Sequence, residues 1–235
     1  MRGKPGASAL GAWGTAKARH RRRLLACRSC LVLSAMCALA GVALSSEHLR
    51  LQGPVWVAAA LMGLAALACA PERDPDRWLR GAEGEIATSR LLATLPERRW
   101  VVFHDLALPR SRANVDHLVI GPSGVWVVDS KHFRAPLRCR RGQVLVGGRP
   151  LSTEAARFEA RVVSSLLGCP VRAVVAVHGE GLRPRGRPQH GVRVLPAARL
   201  VPHLRRRSWL RPALSRRQVG RLAQMVQTTM ESASP

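Results

Sequence analysis

The chain has 235 residues, of which 38 are Lys or Arg and 14 are Asp or Glu, so its formal net charge at pH 7 is +24. This charge favours polyanionic partners, either nucleic acid or an anionic membrane surface. A GC-rich genome also enriches a chain in Arg and Ala, so charge alone does not establish nucleic-acid binding. The six cysteines do not suggest a disulfide framework, and Cys27-x-x-Cys30 lacks the second ligand pair of a tetrahedral zinc site.

The first 70 residues differ in composition from the remainder. Residues 1–23 are rich in Gly, Ala and Arg without hydrophobic periodicity, and we expect them to be disordered. Two apolar runs follow, at 24–44 and 51–70, with a short polar break between them. Because a bilayer-spanning helix needs about 20 mostly apolar residues, residues 24–70 are predicted to form a transmembrane helical hairpin.

Two other interpretations of the apolar runs are open. One is a cleaved signal peptide followed by a single anchor, and the other is a buried helical hairpin in a soluble protein. Neither run has a polar stripe, which favours membrane insertion. The positive-inside rule places the Arg-rich residues 19–28 in the cytosol. Two spans return the chain to that side, so we expect a multi-pass protein of the cell membrane with its N-terminus and C-terminal domain both cytosolic.

From residue 71 to residue 235 the pattern is that of a mixed α/β domain. Periodicity and turn signals predict the following elements in chain order: a helix from Asp76 to about Leu95, a strand at 101–104, a hairpin at 114–131, a possible hairpin at 137–146, a helix from a Ser152 cap to about Leu167, a buried strand at 171–177, an exposed basic loop at 179–191, a short strand at 192–195 and a closing helix at 215–230.

The hairpin at 114–131 carries functional groups. Two alternating apolar runs flank Gly121-Pro122-Ser123-Gly124, which is a turn signal. If the turn closes symmetrically, Asp116 lies opposite Asp129 and Asn114 lies opposite Lys131. Cross-strand neighbours have Cβ atoms about 5 Å apart, and two carboxylates at that spacing repel unless a cation or a proton lies between them. The pattern therefore suggests a metal site with a lysine beside it.

Lys131 and Glu85 extend this pair. The chain has three Lys, and Lys131 is the only one after residue 17, which suggests a need for a compact point charge in place of a planar guanidinium. An ordinary surface ion pair is the alternative. Glu85 shares a helical face with Leu92 and Leu95, and a carboxylate on such a face is either paired or functional.

Four nearby residues receive other assignments. Glu83 lies off the face of Glu85 and ranks second for the site. His117 and His132 point to the opposite side of the hairpin from the carboxylates, so we expect both to be structural. Trp126 points the same way and is expected in the core.

The order of these elements resembles the core of the PD-(D/E)xK nucleases, an α/β fold with a mixed sheet flanked by helices. Residues 81–200 are more closely similar to the nuclease-related domain (NERD) family. The matching pieces are Gly81-Ala-Glu-Gly-Glu85, Val115-Asp-His-Leu-Val-Ile-Gly-Pro-Ser-Gly-Val125 and Val128-Asp-Ser-Lys131. Asp129 stands where that family usually has Glu, one methylene longer, although the wider superfamily accepts either residue.

The resemblance implies that Glu85, Asp116 and Asp129 bind Mg²⁺ or Mn²⁺ and that Lys131 is the catalytic cation. Mg²⁺ prefers oxygen ligands and retains several waters, and a bound water with a lowered pKa attacks phosphorus. Lys131 would stabilise the developing charge or position that water. The Arg-rich loops at 110–112 and 183–187 would neutralise a nucleic-acid backbone, or they are simply solvated surface.

Three functional hypotheses follow. The leading one is a membrane-anchored cytosolic domain that hydrolyses phosphodiester bonds of DNA or RNA with a divalent metal. The alternative is a catalytically inactive module that binds nucleic acid at the membrane. The third is a structural or partner-binding membrane protein, in which the acidic pair forms an ion-pair cluster with Arg.

Overall fold

The computed structural model describes residues 2–44, 49–71, 76–109, 111, 113–140, 143–181, 187–210 and 213–230. The chain forms two compact units. One unit comprises residues 11–77, and the other comprises residues 1–10 together with 78–235. The first ten residues therefore group with the α/β unit. The domain boundaries expected at 23/24 and 70/71 stay predictions.

The unit of residues 11–77 is helical. It contains most of α1 (Ala7–Leu44) and all of α2 (Leu49–Ala68). Ser34 Oγ donates a hydrogen bond of 2.8 Å to the carbonyl of Ala59, and a Cβ on Gly41 would lie 3.1 Å from the Trp56 indole. Position 34 thus meets 59 and position 41 meets 56, so the two helices pack antiparallel. Residues 7–23, which we expected to be disordered, are helical, as good helix formers such as Ala, Leu and Arg permit.

Within the described residues, one helix is long and apolar enough to cross a membrane, over Ala7–Ala43. The second apolar helix, Gly53–Ala68, is shorter. The prediction of two membrane-spanning helices is therefore supported for one of them, and only by length and composition. The polar break at 45–48 and residues 72–75, which flank the second helix, lie outside the described residues.

The other unit is built on a β-sheet. The strands of the chain are β1 (Val101–Ala107), β2 (Asn114–Gly121), β3 (Gly124–His132), β4 (Leu137–Arg140), β5 (Gln143–Val146), β6 (Arg149–Pro150), β7 (Val171–His178), β8 (Arg187–Gln189) and β9 (Val192–Pro196). A six-stranded mixed sheet has the order β1-β2-β3-β7-β9-β8, and β4, β5 and β6 form a small antiparallel sheet. In the large sheet β3, β7 and β9 are mutually parallel, and the other pairings are antiparallel.

Helices cover both faces of the large sheet. They are α3 (Arg77–Leu92), α4 (Glu154–Leu167), α5 (Leu200–Leu210) and α6 (Arg216–Met230). Because side chains alternate along a strand, Leu118 and Val127 pack against α4 and α6 on one face. Val119 and Val128 pack against α3 and α5 on the other. This mixed sheet with flanking helices fits the predicted nuclease-like fold class.

Most predicted elements are present with ends shifted by a few residues. The main differences are α5, which the sequence pattern did not reveal because Pro202 and a dense Arg run interrupt its periodicity, and β8, which lies within the loop expected at 179–191. The cap of α4 also differs. Its N-cap is Thr153, while Ser152 Oγ accepts a hydrogen bond from the Glu154 N–H at 3.3 Å.

The turn of the 114–131 hairpin depends on a close approach between Gly121 and the Trp100 side chain. The ladder runs from His117↔Val128 to Gly121↔Gly124, which is the predicted register and leaves a two-residue loop. A Cβ on Gly121 would lie 2.1 Å from Cε3 of Trp100. The buried indole therefore requires glycine at the start of the turn.

Gly121→Ala is expected to lower the free energy of unfolding by about 1–3 kcal/mol, because the added methyl group overpacks the Trp100 site. Gly220→Ala is the matched control, since an added Cβ there meets nothing within 4 Å in the helix α6. It should raise stability by roughly 0.5–1 kcal/mol. Urea unfolding of the detergent-solubilised chain measures both changes. Equal effects of the two substitutions would contradict this account.

Candidate active site

The two strands of the hairpin diverge next to the acidic residues. Backbone pairing between β2 and β3 ends at His117↔Val128. Beyond that point β2 stays with β1, where Asn114 pairs with Ala107. Strand β3 continues beside β7, where Asp129 pairs with Val175. The parting of the two strands opens the end of the hairpin.

The predicted cross-strand pairs at this end, Asp116 with Asp129 and Asn114 with Lys131, therefore do not form in the ladder. The Asp116 side chain takes a position in the opening, where Oδ2 accepts a hydrogen bond of 2.7 Å from the backbone N–H of Ser130. The Asn114 side chain turns to β1 and donates to Asp105 Oδ1 at 2.9 Å. The prediction was wrong in the pairing because it extended a regular hairpin past the point where the strands diverge.

The four predicted site residues nevertheless lie within range of one another's charges. Asp129 is buried, and its Oδ1 lies 2.7 Å from Lys131 Nζ. Asp116 and Asp129 interact electrostatically with each other, with Lys131 and with Glu85. Glu85 is 7% exposed on α3 and approaches the sheet from the side opposite α4. Carboxylates from a helix and two strands thus act electrostatically on one ammonium group, and Asp129 is the one in direct contact with it.

A further acid that we did not predict belongs to this group. Glu159 is buried on α4, and its charge acts on both Asp129 and Lys131. Glu159 shares the buried face of α4 with Ala156 and Val163. The reasoning that singled out Glu85, a carboxylate on an apolar helical face, applies equally to Glu159 and would have found it. We refer to Glu85, Asp116, Asp129 and Glu159 as the carboxylate cluster.

Burial and mutual repulsion shift the proton affinities of the cluster. Burial, followed by the charge of Asp105, raises the pKa of Glu85 to about 7. Burial, followed by the charge of Asp129, raises the pKa of Glu159 to about 7 as well. The pKa of Asp116 is raised well above its ordinary value, first by burial and then by Asp129 and Glu85. The cluster therefore resists full ionisation at neutral pH.

The pKa of Lys131 is also raised, but for a different reason. Burial alone lowers the pKa of its ammonium group, but the charge and hydrogen bond of Asp129, with smaller contributions from Asp116 and Glu159, outweigh it, so the net pKa is raised. Lys131 is thus a fixed cation at neutral pH. It is the single positive side chain among the named members of the site.

The donor set is chemically suited to a hard divalent cation. Three buried carboxylate oxygens have no hydrogen-bond partner: Glu85 Oε2, Asp129 Oδ2 and Glu159 Oε2. Such oxygens are the ligands that Mg²⁺ and Mn²⁺ prefer. In the described part of the chain, however, no three His, Cys, Asp or Glu side chains lie close enough together to hold a metal ion. The chemistry of the residues fits a metal, while their spacing is wider than a coordination shell.

The histidines form a buried polar chain on the α3 side of the sheet. His104 Nδ1 lies 2.7 Å from His117 Nδ1, and His117 Nε2 lies 3.1 Å from Ser130 Oγ. Ser130 Oγ donates to Thr88 Oγ1 at 2.9 Å, which in turn lies 2.8 Å from His178 Nε2. The chain joins β1, β2, β3, α3 and β7. It also fixes Ser130, whose N–H holds Asp116.

The positions of the other residues assigned from sequence agree with those assignments. Burial lowers the pKa of His117 to about 3, so its imidazole is neutral and acts within the polar chain. His132 Nδ1 lies 3.6 Å from the half-exposed carboxylate of Glu83, away from the cluster. Trp126 is buried in the core. Arg110, Arg112 and residues 182–186, which make up most of the two Arg-rich loops, lie outside the described residues.

Residues 2–9, which we call the N-terminal segment, bind beside Glu85. The backbone of Arg2 donates to Val102 O at 3.0 Å and accepts from His104 N at 2.9 Å. The N–H of Gly6 donates to the Glu85 carboxylate and lowers its pKa. Ser8 donates through both N–H and Oγ to Asp105, at 2.6 Å each. The segment thus lies along the free edge of β1 and supplies Glu85 with a hydrogen bond.

Glu159→Gln is expected to stabilise the protein at pH 8 and to change little near pH 4.5. The folded state holds the Glu159 proton up to about pH 7, whereas an unfolded Glu releases it near 4.3. Stability therefore falls as pH rises between those values and is level above them, with a total loss on the order of 3 kcal/mol. Thermal unfolding of the solubilised chain against pH measures the effect.

The control for this measurement is Glu154→Gln, which changes an exposed carboxyl at the start of the same helix. Its melting temperature should follow that of the unsubstituted chain at every pH. If Glu159→Gln also follows the unsubstituted chain, Glu159 does not carry a raised pKa in the folded state.

Gly3→Ala is expected to detach the N-terminal segment from β1. A Cβ at Gly3 would meet the His104 carbonyl oxygen, and Gly3 has φ +85°, a conformation that L side chains rarely adopt. Loss of the Arg2 pairing should speed amide exchange at His104 by about tenfold, since each 1.4 kcal/mol is a factor of ten. Hydrogen exchange read by mass spectrometry tests this. Gly11→Ala, where an added Cβ meets nothing within 4 Å, should leave the exchange unchanged.

Comparison with known proteins bears on the same region. Residues 80–178 match the family model of the nuclease-related domain. A search of curated proteins and a search of solved structures each found no match. The matched region runs from α3 to the end of β7 and contains every member of the carboxylate cluster together with Lys131. The match supports the nuclease-related family that the sequence motifs predicted.

Proposed function

We propose that the α/β unit hydrolyses phosphodiester bonds of DNA or RNA with the help of a divalent metal, Mg²⁺ or Mn²⁺. The observation that carries this proposal is the carboxylate cluster itself. Three of its buried oxygens lack a partner, and Lys131 Nζ lies 2.7 Å from Asp129. Buried carboxylates in this number are costly unless a cation joins them. The nuclease-related match over residues 80–178 supports the same chemistry.

Glu85, Asp116 and Asp129 are the residues that would hold the metal, with Glu159 beside them. When bound, such an ion lowers the pKa of a coordinated water and neutralises charge on the phosphate. Binding also requires the cluster to release the protons that its raised pKa values retain. Because the pKa of Glu85 and that of Glu159 are about 7, this release is available at neutral pH.

Lys131 and Glu159 have complementary roles in the proposed reaction. Lys131 stays protonated, so it can donate hydrogen bonds to a phosphate oxygen as negative charge develops there. Glu159 has a free Oε2 and a pKa near 7, which suits a group that accepts a proton from water or returns one to a leaving oxygen. The Ser130 N–H and the buried histidine chain hold Asp116 in place during these steps.

The membrane attachment is also part of the proposal. α1 meets the length and composition of a spanning helix. Large apolar side chains on α1 and α2 are exposed, among them Leu39, Val42, Leu61 and Leu67. Lipid contact would remove this apolar surface from water. We propose that α1 and α2 form a multi-pass membrane hairpin with the N-terminus and the α/β unit on the cytosolic side.

A second candidate function is a nucleic-acid-binding module that has no turnover. It is favoured by the spacing of the cluster, since no three of the described metal-binding side chains approach closely enough to share an ion. Such a module would use its positive charge to bind phosphates in a salt-dependent way. The cleavage experiment decides between the two functions.

Asp116→Asn and Lys131→Ala are each expected to reduce cleavage by about 100-fold or more, because the first removes a proposed metal ligand and the second removes the cation proposed to stabilise charge on the phosphate. The measurement uses the full chain in lipid nanodiscs with labelled single- and double-stranded DNA and RNA, in Mg²⁺ or Mn²⁺. Lys17→Ala and Glu154→Gln serve as controls for the loss of a Lys and of an acid outside the cluster.

Cleavage that persists in both cluster variants would rule out the proposed mechanism. Absence of cleavage in the unsubstituted chain, together with binding that weakens steeply as salt rises, would support the binding module. Binding that ignores salt would rule out that second candidate as well.

A further inference from the structure

A cavity of about 480 Å³ lies at the start of β7 and β9. Val171 and Arg172 line it from β7, Val192 and Arg193 from β9, and Arg157 and Arg161 from α4. The volume is within the range of about 300–1,000 Å³ that is usual for small-molecule sites. Arginines from three different elements therefore converge on one concave surface.

No member of the carboxylate cluster lines this cavity, although Glu159 is next to the lining residue Ala160 on α4. Asp129 and Lys131 pair with Val175 and Val177 on β7, whereas the cavity is lined by the first residues of that strand. At about 3.3 Å per residue, Arg172 lies roughly 16 Å along the strand from Val177. A ligand in the cavity would therefore not touch Lys131.

The cavity wall is strongly cationic. Its lining includes Arg157, Arg161, Arg172 and Arg193, and no carboxylate among the described residues. Arg157, Arg161 and Arg193 form no ion pair with the described part of the chain. A concave surface with charge of one sign focuses the potential and concentrates counter-ions. An anionic ligand would therefore meet no competing carboxylate in this lining.

The arrangement of the arginines is partly fixed by the fold. Arg172 Nη1 donates to the Ser123 carbonyl at 2.9 Å, and the guanidinium lies 5.1 Å from the centre of the Trp126 ring. Arg157 and Arg161 are four residues apart on α4, so they project from one face with an axial separation of about 6 Å. The small side chains of Ala160 and Ala173 leave room between the cations.

We propose that this basic cavity binds a phosphate-bearing anion at a site distinct from the carboxylate cluster. Guanidinium groups match phosphate oxygens in a bidentate geometry, and four of them suit a ligand with several negative charges. Two sources share this chemistry, a free nucleotide and a phosphodiester backbone. The proposal does not depend on catalysis at the cluster.

The test measures binding of inorganic pyrophosphate, of ATP and of a short oligonucleotide to the full chain in nanodiscs by titration calorimetry. The double variant Arg157→Gln/Arg161→Gln is expected to weaken binding by about tenfold or more, since it removes two charged donors from the cavity wall. Arg217→Gln/Arg221→Gln is the matched control. It also removes two exposed arginines four residues apart on a helix, and affinity should change less than twofold.

Asp116→Asn separates this proposal from the proposed function. It should leave the binding of pyrophosphate and of ATP unchanged even if all cleavage is lost. If pyrophosphate and ATP bind and respond to the α4 variant, the ligand is a free phosphate compound. If only the oligonucleotide binds and responds, it is a backbone. Absence of binding by all three probes, or equal loss in the α4 and α6 variants, would overturn the proposal.

Discussion

The electrostatic cost of burying several acids around one lysine is the constraint on which the site depends. Glu85, Asp116, Asp129 and Glu159 come from two helices and two strands, and none of them would tolerate burial beside the others as a free anion. The ion pair between Lys131 and Asp129 offsets part of that cost. Raised proton affinity of the remaining acids offsets more. A site held in this condition favours positive charge, which its raised pKa values express as a higher affinity for protons.

Backbone topology makes this crowding possible. If the hairpin had continued as a regular ladder, Asp116 and Asp129 would have shared one face of a flat ribbon, within reach of water. Instead β2 follows β1 while β3 follows β7, and α3 and α4 each contribute an acid to the opening. The Ser130 N–H that β2 no longer uses in pairing is taken by Asp116. The buried chain from His104 to His178 then connects the diverging strands on the α3 side.

Local patterns in the sequence were sufficient to predict much of the hairpin and of the candidate site. Alternation and turn residues predicted the hairpin and its register, because those depend on neighbours close along the chain. The face of Glu85 followed from helical spacing, and the same spacing was available for Glu159. Three features were beyond such reasoning. The divergence at Asp116 depends on β7, which lies more than 40 residues away in sequence. The helix α5 could not be predicted because its Arg run interrupts the hydrophobic periodicity. The pairing of Arg2 with β1 could not be predicted because about 100 residues separate Arg2 from Val102 and His104 in the sequence.

The pairing of the N-terminal segment with β1 has a practical consequence for the protein. β1 is an outer strand of the sheet, and residues 2–4 cover part of its hydrogen-bonding edge. A soluble fragment cut between the apolar helices and α3 would lack this cover. Its exposed strand would be able to pair with a second molecule, which is a common route to aggregation, and Glu85 would lose a neighbour. Aggregation of such a fragment would then result from the loss of the first residues. Supplying these residues as a separate peptide or by circular permutation should restore a monodisperse domain.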